Sequence, residues 1–238
     1  GGSITGITDL AVADGGTGQG SYTNGQLLIG NTTGNTLAKG TITAGANIAI
    51  TNGAGAVTVA VSGVHTQGLQ TIWVPAAAMR PTSSNGCAAI TDVETTAGRP
   101  DMQVLDFDAS SDEHAQFSVS FPKSWNAGTV TFQFFWTATT TDTDGVSFGL
   151  QGVSVIDGAT IDVAYGTAIV VDDANQSTAE DLYISAVSTA VTIASAADDA
   201  ITFFRVFRDV SDANDTAAED ARLVGVKLFY TTDAGNDA

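Results

Sequence analysis

The apolar positions of this chain follow two rhythms. Across residues 14–61 they come as isolated pairs and triplets: Leu27, Leu28 and Ile29, then Ile48 with Ile50, then Val57, Val59 and Val61. Gly, Asn and Thr separate each group. Each group reads as a very short strand followed by a tight turn, with Gly15-Gly16, Asn24-Gly25 and Asn52-Gly53 as turn dipeptides. No run here is long enough to bury its apolar face within one chain. Such segments become stable when several copies wrap or stack, as in fibrous β-structure. A flexible linker would be rich in Ser and Gly without the recurring Ile and Val.

From residue 71 the rhythm changes to alternation. Phe117, Val119 and Phe121 share one face opposite Ser118 and Ser120, the signature of a half-buried strand. Over residues 129–137, Phe132, Phe134 and Trp136 share a face opposite Thr131, Gln133 and Phe135. Shorter strands are expected at 149–156, 160–165, 182–186 and 190–194. Residues 201–208 are apolar on both faces: Phe203 and Phe207 on one, Phe204 and Val206 on the other. That suits a strand between two layers or at a subunit contact, with Arg205 and Arg208 each paired to a carboxylate. Residues 222–231 place Val224, Val226, Leu228 and Tyr230 on one face. The one helical candidate is the short acidic segment 212–220. About eight strands at roughly ten-residue spacing fit an antiparallel two-sheet sandwich of jelly-roll type.

Composition sharpens the division into residues 1–70 and 71–238. The net charge is −18, from 26 acids and 8 Lys and Arg. Asp9, Asp14 and Lys39 are the only charged residues in the first region, which therefore carries −1, and the second carries −17. All 11 Phe, all 3 Trp and all 4 Pro lie in the second. No basic patch exists to neutralise phosphates, which argues against nucleic acid, and an acidic face disfavours anionic membranes. No run of 18 apolar residues suggests membrane insertion, and no signal peptide is legible. The chain opens on Gly1, which suggests a fragment or processed product. The lone Cys87 excludes an intrachain disulfide and reads as a small buried residue.

The stretch GGTG, a Tyr, NGQLLIGN and then TAGANIAITNGAGAVTV resembles the repeats in shafts and collars of bacteriophage tail fibres. A second set of segments covers nearly all of residues 71–238. It comprises TIWVPAAAMRP, DFDASSDEHAQFSVSFPKSWNAGTVTFQFFW, TIDVAYGTA and FFRVFRDVSDANDTAAEDARLVGVKLFYTTDA. These resemble the C-terminal domain of phage and prophage fibre or head-spike proteins, a type that also occurs in virus-like gene transfer agents. The resemblance implies a jelly-roll knob on a homotrimeric fibre at the virion surface. Its N-terminal end would meet other virion proteins, and the knob would attach to a host cell-surface glycan.

Candidate chemistry is sparse. His114 lies in an Asp-Glu-His run, and His65 sits in the junction between the regions, so no zinc pattern exists. Asp142-Thr143-Asp144-Gly145 suggests a calcium loop, but EF-hand alignment puts Thr140 and Gln151 at the first and last ligand positions. A hairpin turn is the simpler reading, although Ca²⁺ held between subunits by an acidic cluster stays open. No Gly-x-Ser-x-Gly occurs, and no carboxylate pair stands out for glycoside hydrolysis. No catalytic residue is therefore assigned. Trp73 and Trp136 read as core. Trp125, in a polar loop, is the best candidate for stacking on a sugar. The expected receptor contacts are Lys123, Trp125 and Asn126 with the acidic turns Asp142, Asp144, Asp172, Asp173 and Asn175. The expectation is thus an all-β chain, a fibrous shaft (1–70) and a jelly-roll knob (71–238), acting as a non-enzymatic adhesin. A purely structural fibre or capsid-decoration protein is one alternative, and a small glycan hydrolase is another.

Overall fold

The computed structural model describes residues 6, 17, 19–34, 36–61, 67–234 and 237. The expectations for Gly15-Gly16 and His65 fall outside these residues. The chain divides into two units, Gly1–Val64 and His65–Ala238.

The first unit holds two antiparallel hairpins. One pairs β1 (Gln26–Asn31) with β2 (Thr36–Thr41), the other β3 (Ile48–Gly53) with β4 (Ala56–Val61). Asn24-Gly25 forms the expected turn: Gly25 has φ of 82° and Gln26 N–H donates to Thr23 O. Asn52-Gly53 does not. Both residues lie inside β3, and the turn is Ala54-Gly55, where Gly55 takes the left-handed φ of 72° that favours a residue without Cβ. No described residue of the unit is buried; Ile29, Val59 and Val61 are 48, 57 and 65% exposed. Two-stranded ribbons have only one partner strand each and leave their apolar side chains in water.

The second unit is a two-sheet sandwich. Its strands are β5 (Gln67–Pro75), β6 (Arg80–Pro81), β7 (Thr91–Glu94), β8 (Asp101–Phe107), β9 (His114–Val119), β10 (Thr131–Thr137), β11 (Gly145–Ile156), β12 (Ile169–Ala174), β13 (Tyr183–Ile184), β14 (Ile193–Ala194), β15 (Ala200–Arg208) and β16 (Ala221–Thr232). In the first sheet β16 lies between β10, itself edged by β13, and the pair β5 and β8, with β7 outside β8. The second sheet runs β12-β11-β15-β9-β6, with β14 parallel to β11 beyond the end of β12. Leaving aside β6, β14 and the β7–β8 pair at the far side of β16, the orders are β5-β16-β10-β13 and β9-β15-β11-β12. Sequential strands cross repeatedly between the sheets, as in a jelly roll.

The alternation explains the core. Phe132, Phe134 and Trp136 of β10 and Leu223, Val226 and Leu228 of β16 are buried against Phe148 and Leu150 of β11 and Phe204 and Val206 of β15. Phe134 and Phe148 meet across the sheets with centroids 4.9 Å apart. Each fully buried apolar side chain of this size is worth about 1.5–3 kcal/mol. Val224 departs from the expected face. The β10–β16 register slips between Phe135↔Gly225 and Trp136↔Leu223, so Val224 is an extra, half-buried residue and Leu223 takes the inward position. The β10 edge is completed by serines: Ser188 and Ser185 Oγ accept the N–H groups of Phe132 and Phe134, both at 2.9 Å.

Residues 160–165 do not form the expected strand. The edge of β11 at Gly152 and Val153 is taken by β14, and only Gly166 N–H reaches Gly152 O. Residues 212–220 are turns and not a helix. Asp209 and Asp212 accept backbone N–H groups of Ser211 and Asn214, which compete with helical bonds. The carbonyls of Ala217 and Glu219 point instead to Arg208, at 2.7 Å each. Among the described residues no helix is long and apolar enough to cross a membrane.

Arg208 is fully buried. It makes a 2.8 Å ion pair with Asp215, whose side chain is 2% exposed, and donates to the carbonyls of Phe107, Ala217 and Glu219. Removing one partner of such a pair strands the other charge in a dry interior, at about 3–5 kcal/mol. Asp215→Ala should therefore lower the melting temperature sharply in a thermal unfolding scan. Arg205→Ala, on the outer face of the same strand, should cost about 1 kcal/mol or less. Equal losses for the two variants would contradict this division.

Candidate functional site

The sequence-nominated contacts lie at opposite ends of the first sheet. Lys123, Trp125 and Asn126 precede Thr131, where β10 begins, and Asp142 and Asp144 follow Thr137, where it ends. Seven residues of strand separate these positions by roughly 23 Å. Lys123 and Asn126 are exposed, and Asn126 closes its own turn by accepting Gly128 N–H at 3.0 Å. Trp125 is not an exposed plate: it is 2% exposed and stacked on Phe121 at 4.2 Å. Phe121 also meets Phe204 and Tyr230, so the loop is drawn inward by an aromatic cluster.

The acidic residues do assemble with one another. Asp142 accepts Asp144 N–H at 3.1 Å and approaches Asn175 Nδ2 at 3.3 Å. The Thr140 hydroxyl, then the Asp144 N–H, hold the Asp142 carboxyl below its ordinary range. Asn175 is 3% exposed, and its Oδ1 accepts the Tyr183 hydroxyl at 2.7 Å. Asp173 accepts Trp136 Nε1–H at 2.8 Å, and Asp172 accepts from Ser147 Oγ and Asn214 Nδ2. Asp172, Asp173, Asn214 and Thr216 border an open depression of ≈ 490 Å³. These carboxylates tie loops to strand ends. Among the described residues no three His, Cys, Asp or Glu converge as a metal cluster would.

Further polar and aromatic groups share the outer face of the second sheet. The pairings set them in rows. His114, Phe207 and Gly149 form one, Gln116, Arg205 and Gln151 the next, and Ser118, Phe203 and Val153 a third. Phe207 lies flat over Gly149, where a Cβ would meet its ring at 2.2 Å. The Tyr165 ring covers Arg205 at 5.3 Å from one border. On the other border a pocket of ≈ 290 Å³ is lined by Ala77, Ala78, Arg80, Gln116, Ser118 and Phe203. Gly149, Gln151 and Val153 of β11 are buried, so the open part of this face lies over β15 and β9. Arg205 contradicts the expected carboxylate pairing. Its guanidinium donates to Gln151 Oε1 at 3.3 Å, and its Nε–H, shielded from solvent, has no acceptor. An unsatisfied buried donor of this kind costs about 1–3 kcal/mol.

His114 belongs to this face rather than to an exposed turn. Its ring packs against Phe207 at 5.7 Å, and Nδ1 lies 3.2 Å from Asn85 O, which fixes the proton on Nδ1 in the neutral form. Burial pushes its pKa below the ordinary value, and Arg205 adds to the effect. Cys87 is 6% exposed, with burial pushing its thiol up to about 12. Trp73, expected in the core, is instead 46% exposed on the outer face of the first sheet. It lies over Gly225, where a Cβ would clash at 2.5 Å, with its edge to Phe135 at 4.8 Å.

Two expectations follow. Iodide should quench the fluorescence of Trp73 and leave Trp125 and Trp136 protected, so Trp73→Phe should abolish most of the quenchable signal; a quenchable Trp125 would contradict its placement. His114 binds its proton less readily folded than unfolded, so stability should fall as pH drops below about 6.5. His114→Gln should reduce the stability difference between about pH 7.5 and about pH 5.5 in chemical denaturation; an unchanged difference would show that the imidazole is not involved.

Compared with protein families and with curated proteins, the chain matches none. Among solved structures, distant likenesses are to carbohydrate-binding modules. The CBM35 module from Cellvibrio japonicus Abf62 is 9% identical, with TM-score 0.37, covering 70% of this chain and 94% of that one. The CBM22-1–GH10 modules of Clostridium thermocellum xylanase 10B, complexed with xylohexaose, are 14% identical with TM-score 0.38, covering 71% of this chain and 29% of that one. CBM28, a module specific for non-crystalline cellulose, is 13% identical with TM-score 0.36, covering 66% of this chain and 85% of that one.

Proposed function

We propose that this chain is a non-catalytic attachment protein, a fibre or spike element on the surface of a phage or phage-like particle, whose jelly-roll unit holds a host cell-surface glycan in the groove of its second sheet. The observation that carries the glycan reading is the half-exposed pair Gln116 and Arg205 between the half-exposed rings of Phe203 and Phe207. Apolar ring faces receive sugar C–H surfaces, while amides and a guanidinium receive hydroxyls, each neutral hydrogen bond contributing about 0.5–1.5 kcal/mol. One groove is weak on this scale, and several on one particle add through effective concentration. The exposed Ile and Val of the two hairpins support a homotrimer, since stacked copies would cover what one chain leaves in water. The particle surface itself rests on the resemblance of the repeats and knob segments to phage fibres.

A purely structural role has one observation in its favour. The outer face of the first sheet carries Trp73, and Leu69 and Ile184 at 61 and 48% exposure, an apolar surface suited to another protein.

The test is glycan-array and whole-cell binding by the full chain. Phe203→Ala and Gln116→Ala should each weaken binding several-fold, and Lys123→Ala and Asn126→Ala should not. Loss with the loop variants and none with the groove variants would move the site to the loops. Light scattering should give a trimer mass, and a stable monomer at low concentration would remove the trimeric part of the proposal.

A further inference from the structure

The chain has 26 acids for 8 Lys and Arg. Arg208 has Asp215 at 2.8 Å and Arg222 has Asp106 at 3.4 Å. Arg205, like the exposed Arg80 and Arg99, has none among the described residues, but it alone of the three is partly buried. It sits mid-strand in β15, half-buried, with a ring over it, one amide oxygen accepting from it and a shielded Nε–H without an acceptor. Its row neighbours Gln116 and Gln151 are neutral, the positive charges of Arg205 and Arg80 both act on Tyr165, and Asp112 and Glu113 act on His114 in the next row. Arg205 and Arg80 thus place two positive charges on this face of a strongly acidic protein. A guanidinium held this way is poorly matched to water and well matched to a planar or multi-oxygen anion, which it receives through charge-assisted, directional bonds.

Resting on the groove reading above, we infer that the glycan bound there is acidic, and that the carboxylate or sulfate of a sugar unit docks against Arg205 as its missing counter-ion. Charge counted over the whole chain does not describe the field at one screened, half-buried position.

Titration calorimetry on the full chain tests this with three probes: an oligogalacturonate, the same oligosaccharide with its carboxyl groups reduced, and a sulfated galactan. The uronate or the sulfated chain should bind at least roughly tenfold tighter than the reduced one, about 1.4 kcal/mol. The better of the two identifies the anion. Arg205→Gln should erase that preference, and Arg205→Lys, which keeps the charge but not the fork, should retain part of it, with melting temperatures unchanged in both. Equal affinity of the wild-type chain for reduced and anionic probes overturns the inference and leaves the groove reading standing. Preference kept in Arg205→Gln also overturns it. No binding of any probe, together with no array signal sensitive to Phe203→Ala, overturns both. A drop in assembled mass for Arg205→Gln would assign the counter-ion to a second copy of the chain, and the inference would fail.

Discussion

A guanidinium sealed inside an acidic protein is the constraint around which one end of the sandwich is arranged. Arg208 cannot be hydrated where it sits, so its donors must find acceptors from the chain. Asp215 and the carbonyls of Phe107, Ala217 and Glu219 supply them. That requirement overrides helical preference in the segment between β15 and β16. It also aims Asp215 Oδ2 at Ser147 N–H, which fastens the segment to the start of β11. Asp172 then reaches Asn214, and Glu219 takes the Thr140 hydroxyl, so the neighbouring acidic turns inherit their positions from the same buried charge.

The pleat of β15 separates two uses of one residue type. Arg208 points inward and is fully matched. Arg205, three positions earlier and on the other face, is nearly unmatched. The first organises loops, and the second leaves unspent interaction on a surface bordered by Tyr165 and the 77–80 segment. The groove depends on the inner layer: Phe204 and Val206 are anchored in the core, which fixes where Phe203, Arg205 and Phe207 emerge.

Much of the fold was legible from alternation, because a period of two in Phe132, Phe134 and Trp136 has one physical meaning on a sheet with a buried face. What depended on distant partners was not. Trp125 is drawn inward by Phe121, whose other neighbour Tyr230 lies far along the chain. Trp73 is outside because β5 lies on β16, where Gly225 offers a flat seat. Nothing local distinguishes those two tryptophans. The Val224 bulge is likewise a property of two strands together, not of β16. The acidic turns lie beside one another, but topology places the 122–126 loop at the far end of β10. The free face of β15 carried one readable signal, apolar residues on both sides of 201–208, and its lack of a carboxylate could be known only from the pairings.

The serine-completed edge of β10 carries a consequence for growth. Phe132 and Phe134 would otherwise offer their N–H groups to any passing strand, but Ser188 and Ser185 already accept them. Ser188 and Ser185 N–H in turn donate to the carbonyls of Phe132 and Phe134. β13 adds only two ladder residues beyond this. With these groups paired, the β10 edge offers a neighbouring molecule less main chain for strand addition. Any partner meeting this rim would therefore meet side chains before main chain.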